Sequence, residues 1–194
     1  MSLHSVTLLG LTALFAGNVQ AALFTYSTGL SGAAEDPPNM SSATGTAIIL
    51  YDDVAQTLGL TVSFSGLTGT TAVAHVHCCT ALPKAGNAGV AVSLPTLPGF
   101  PVGVSSGTYS TTIDLTDAAV FGSSFLSANG GTPTTAEAAL AAGLASERAY
   151  FNIHTSIYSG GEIRGFASNA VPEPAMLSLL SLGLLAGLSL RRRA

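Results

Sequence analysis

Tryptophan is absent from the 194 residues, only 8% are charged against roughly 25% in a typical soluble domain, and lysine plus arginine number six. So little charge excludes a charged, solvated coil. With 47% apolar residues and a net charge of −4, intrinsic disorder is excluded as well. Three of the six basic residues, Arg191, Arg192 and Arg193, crowd the C-terminus, so no basic patch can track phosphates and nucleic acid is not expected as a partner. The two cysteines, Cys78 and Cys79, are adjacent and offer no disulfide framework. Across a trans peptide their Cα atoms would be ~3.8 Å apart, below the usual disulfide range, which disfavours a simple intrachain bridge. A strained vicinal disulfide, an interchain bridge and buried free thiols stay open.

The mean hydropathy of +0.51 is concentrated at the two ends. An apolar run from Leu3 to Phe15 leads into Val19-Gln20-Ala21, which fits a small-residue cleavage pattern, so residues 1–21 read as a signal peptide, although its first residues carry no Lys or Arg. At the other end Val171-Pro172-Glu173-Pro174 precedes an uncharged stretch from Ala175 to Leu190 and then the arginines. As a helix, 175–190 would span about 24 Å, short of a ~30 Å hydrocarbon core but tolerable if the arginines snorkel on the cytoplasmic side. Residues 171–194 resemble the PEP-CTERM sorting signal of Gram-negative bacteria in all three parts: box, apolar span and arginine cluster. The resemblance implies a transient inner-membrane anchor, removal by an exosortase, and delivery to the cell surface or extracellular matrix.

Between the ends, residues 22–170 hold nine acidic and three basic residues (Lys84, Arg148, Arg164), enough chain for one core without metal or disulfide. In Thr57 to Gly66, Leu58, Leu60, Val62 and Phe64 alternate with small or polar residues, the signature of a half-buried strand. Asp52-Asp53 supply turn chemistry between this run and Gly45 to Tyr51, which predicts a hairpin. Similar runs at Leu23–Leu30, Thr71–His77, Gly89–Leu94, Gly107–Leu115, Arg148–Thr155 and Glu162–Ala167 bring the total to about eight strands. The expected fold is all-β: an antiparallel, Greek-key-like sandwich. Thr134-Thr135-Ala136-Glu137 fits a capping box and predicts one short helix over 135–146. The proline-punctuated stretch from Leu82 to Gly103 reads as a long surface excursion.

Three segments carry a second resemblance. They are Leu30-Ser31-Gly32-Ala33-Ala34-Glu35-Asp36-Pro37-Pro38, Ala74-His75-Val76-His77, and the closing pair Asn152-Ile153-His154-Thr155 and Gly161-Glu162-Ile163-Arg164-Gly165. Together they look like the CHRD domain, named after chordin, over about residues 28–168. The resemblance implies a β-sandwich of extracellular or bacterial-surface proteins, with no established catalytic residues to carry over.

His75 and His77, two apart, project from one face of a strand, and His154 is the other histidine left once the signal peptide is gone. One strand supplying two imidazoles and another a third is a donor set for copper or zinc, with Cys79 a candidate fourth donor if the strand continues. The His-x-His pair with a late histidine also resembles the copper side of Cu/Zn superoxide dismutase, although no histidine lies between His77 and His154 to supply that family's bridging and zinc ligands. The competing reading is a polar seam in which the histidines hydrogen-bond with Asn152, Glu162 and Arg164. Glu162 and Arg164, sharing a strand face, are expected to form a structural ion pair. Gly103-Val104-Ser105-Ser106-Gly107 matches a nucleophile-elbow pattern but leads into a strand where that motif demands a helix. The sequence therefore points to a non-enzymatic exported domain, with a metal-binding or redox protein built on His75, His77 and His154 as the alternative.

Overall fold

The computed structural model describes residues 22–92 and 95–168, so the signal-peptide, apolar-span and arginine-cluster expectations lie outside the described residues. Eight strands appear in the order expected: β1 (Leu23–Ser31), β2 (Thr44–Asp52), β3 (Thr57–Ser65), β4 (Thr71–His77), β5 (Val90–Val92), β6 (Gly107–Asp114), β7 (Tyr150–Thr155) and β8 (Ile163–Phe166). They form one curled antiparallel sheet in the order β5-β4-β7-β8-β1-β2-β3-β6.

The β2–β3 hairpin shows how the sequence dictates this. Its register runs without a bulge from Thr44↔Ser65 to Asp52↔Thr57. The Asp52 carboxylate closes the turn by accepting from the N–H groups of Val54 (3.0 Å) and Ala55 (2.7 Å). Because side chains alternate, Ala47, Ile49 and Tyr51 and the facing Leu58, Leu60, Val62 and Phe64 all turn into the core. Each large aliphatic among them contributes about 1.5–3 kcal/mol by leaving water.

Two helices follow β6. The short α1 (Ser123–Ala128) was not expected from the sequence; it inserts Phe125 into the core. The expected helix is α2 (Pro133–Ala145), and it buries Ala136, Leu140 and Leu144. Its cap differs from the expected box: Thr132 is the N-cap, accepting from the Thr135 N–H, and Pro133 opens the first turn. Glu137 is thereby released from capping. It turns inward and accepts from the Tyr51 hydroxyl (3.0 Å) and the Gln56 amide (2.7 Å).

The stretch from 82 to 103 is not a mere surface excursion. Leu97 and Phe100 are buried, the Leu97 N–H donates to Ala74 O, and Thr96 Oγ1 accepts from the Ala74 N–H. The prolines end strands, yet the segment between them carries apolar side chains that the sheet edge needs.

Cys78 and Cys79 form a vicinal disulfide, joined by a cis peptide that sets their Cα atoms 3.0 Å apart. The expectation against an intrachain bridge assumed a trans peptide. Gly143 of α2 packs on this pair so tightly that a Cβ there would overlap both Sγ atoms.

Candidate metal centre

β4 and β7 are neighbours in the sheet, with His75 opposite Asn152, His77 opposite Tyr150 and Val73 opposite His154. Alternation then divides their side chains. Ala74, Val76, Phe151 and Ile153 join the hydrophobic core, whereas His75, His77, Tyr150, Asn152 and His154 face the opposite way. That second face is also covered, so every residue of β7 is buried.

The three imidazoles converge there. Ring centroids are 5.6 Å apart for His75–His77, 5.2 Å for His75–His154 and 5.7 Å for His77–His154. One ring nitrogen from each lies within 4.8 Å of the others, and the residues are 6%, 8% and 9% exposed. Each ring is held from behind by a backbone carbonyl: His75 Nε2 donates to Pro95 O (2.7 Å), His77 Nδ1 to Ala88 O (2.9 Å) and His154 Nδ1 to Ser159 O (2.9 Å). A carbonyl only accepts, so these bonds fix the tautomers and leave a lone pair on His75 Nδ1, His77 Nε2 and His154 Nε2. Those three nitrogens are buried and have no hydrogen-bond partner.

Burial keeps the rings neutral. It lowers all three histidines against the opposing carbonyl bonds, and brings His77 down to about 4, with His154, His75 and Arg164 adding smaller repulsions. Tyr150 stacks on His77 with centroids 4.8 Å apart and planes 2° from parallel, and its hydroxyl donates to the same Ala88 carbonyl that holds the ring. The Arg164 guanidinium lies 4.7 Å from the Tyr150 ring centre.

Cys79 does not join the histidines. Its sulfur is bonded to Cys78 and directed at the Ala139 carbonyl of α2, because the chain turns immediately after His77. Glu162 and Arg164 are not an ion pair either. Arg164 reaches Glu35 (3.7 Å), Ala34 O and Asn87 Oδ1. Glu162, just outside β8, accepts from the Ser41 and Thr155 hydroxyls (both 2.7 Å) and from the N–H groups of Thr68 (2.5 Å) and Gly69 (3.1 Å). Burial alone would raise the Glu162 carboxyl, but these four donors together outweigh it and hold it below the usual carboxylate range. The polar seam thus has two separate halves, and the histidines bond with none of Asn152, Glu162 or Arg164. Sequence reasoning missed the orienting carbonyls of Pro95, Ala88 and Ser159, which no side-chain pattern encodes.

The fold and this cluster define a small antiparallel β domain with a buried three-histidine face. The chain belongs to the CHRD domain family, whose model matches residues 26–167. A PEP-CTERM protein-sorting motif matches residues 170–193. No curated protein and no solved structure matches the chain significantly. With both matches in hand, the chain is an exported, sorted protein subject to exosortase processing.

Proposed function

We propose that the mature protein is a non-enzymatic domain of the cell surface or extracellular matrix that holds one transition-metal ion, copper or zinc, between His75, His77 and His154. In this reading residues 1–21 direct export, 175–190 anchor the chain transiently in the inner membrane, and cleavage beside the Val171–Pro174 box releases residues 22–170. The observation that carries the metal is the set of three unpartnered, buried, inward-facing nitrogens. Buried polar atoms are ordinarily paired, and a single water, with two protons to donate, would leave one of the three without a partner. An imidazole whose far N–H is tied to a backbone carbonyl is the usual arrangement of a metal ligand. Bonds of ~2.0–2.1 Å need nitrogen separations of roughly 3.4 Å in a tetrahedral site, so side-chain shifts of about 1 Å suffice.

The test is elemental analysis of the protein recovered after export from its native host. One equivalent of copper or zinc per chain is expected in the wild type and none in His77→Ala or His154→Ala. A folded wild-type protein without stoichiometric metal would overturn the assignment.

A further inference from the structure

Resting on the three-histidine reading, the charge and number of donors select among metals. We infer that the site is built for monovalent copper, Cu(I), in preference to Zn(II) or Cu(II). All three donors are neutral imidazole nitrogens, and among the described residues no Asp, Glu or Cys joins them. The two nearby acids are committed elsewhere: Glu35 faces Arg164 and Glu162 is saturated by its four donors. The charged group that bears on His77 from beyond the rings is a cation, the Arg164 guanidinium on the Tyr150 ring that stacks against His77. A metal dication here would bring two uncompensated positive charges into a site whose ligands are less than a tenth exposed. The Born cost rises with the square of the charge, so a monocation incurs about a quarter of a dication's penalty.

Coordination number points the same way. Zinc takes four ligands, and divalent copper prefers a tetragonal set of four or more. The described residues offer three, the vicinal disulfide locks away both cysteine sulfurs, and Met40 is almost fully exposed at the surface. A closed-shell monovalent ion is content with three nitrogens and needs no anion or water to complete its shell.

The experiment uses the exported protein, freed of metal by a chelator and handled without oxygen. It is titrated with Cu(I) against a chromophoric Cu(I) chelator and, separately, with Zn(II) against a zinc indicator. One Cu(I) per chain is expected, held at least about 100-fold more tightly than Zn(II), given the larger desolvation of the dication. X-ray absorption of the Cu(I) form should show nitrogen neighbours alone, a readout that does not depend on any variant folding. Tighter binding of zinc, abolished in His154→Ala, would overturn the Cu(I) preference and leave the three-histidine site standing. Sulfur in the copper shell would place the ion on reduced Cys78 and Cys79 or on Met40 and overturn both. Binding of neither metal would also overturn both.

Discussion

Glu35 and Glu162 are both buried acids, yet their surroundings push them in opposite directions. Glu162 has four donors. Glu35 has one oxygen without a partner, and burial outweighs the attraction of Arg164 and the Asn152 amide to bring its carboxyl up to about 7. In the unfolded chain it titrates near 4.5. Between those values the unfolded state gives up the proton while the folded state keeps it, so Glu35 withdraws stability as pH rises from 4.5 to 7. The difference between the two pKa values corresponds to about 3 kcal/mol. The buried histidines run oppositely, since their lowered pKa values remove stability as pH falls below 6.5. Comparing Glu35→Gln with wild type isolates the acid: urea unfolding at pH 5 and pH 8 should show the variant gaining relative stability at the higher pH. An equal difference at both values would show that Glu35 is ionised throughout. None of this could be read from Glu35 itself, which in the sequence is one acid in a small-residue stretch. Its partner Arg164 is 129 positions away and was expected to face Glu162.

Where strands alternate cleanly and one face meets the core, sequence and structure coincide, as in β2 and β3, because a slip of one residue would turn every buried side chain to solvent. Elements governed by remote contacts were not legible in the same way. Pro95 and Pro98 mark a break in the strand pattern, but only the folded sheet edge shows that Leu97 is core and that the Pro95 carbonyl orients His75. That His75 and His77 share a face followed from strand periodicity, whereas their meeting with His154 depends on the pairing of β4 with β7, and the exclusion of Cys79 on a backbone path that adjacent cysteines do not announce. The contact between α2 and the two cysteines gives a prediction whose sign depends on the disulfide. In an exposed helix Gly→Ala gains up to ~1 kcal/mol. Here Gly143→Ala should lower stability by about 1–3 kcal/mol, because the added methyl overlaps two sulfurs that cannot rotate away from each other. In a Cys78→Ala/Cys79→Ala background the same change should become neutral or stabilising. Thermal melts of the four proteins check this; an equal effect in both backgrounds would show that the sulfurs are not the obstacle.

For the whole molecule, the family match and the sorting motif are adjacent, 26–167 and 170–193, leaving no room for a second domain between fold and signal. Intact-mass measurement of the exported protein should therefore show both ends missing, with a new N-terminus near Ala22 and a C-terminus near residue 170. Surface material still carrying Arg191–Arg193 would instead mean a permanent anchor. No helix among the described residues is long and apolar enough to cross a membrane.

The strand order adds a constraint of timing. Strands β1, β2, β3 and β6 form one half of the sheet and β5, β4, β7 and β8 the other, and the halves meet where β1 lies beside β8. Ser31 pairs with Arg164, and Ser27 with Ser168. The joint thus unites the first strand of the domain with its last. A chain delivered from its N-terminus must keep β1 waiting, one edge unpaired, until nearly every other residue of the domain has arrived. The segment that relieves it is followed within a few residues by the sorting motif. The strand that completes the sheet and the sorting motif are thereby delivered one directly after the other, and a chain cut short before β8 would present an open strand to its neighbours in place of a finished surface.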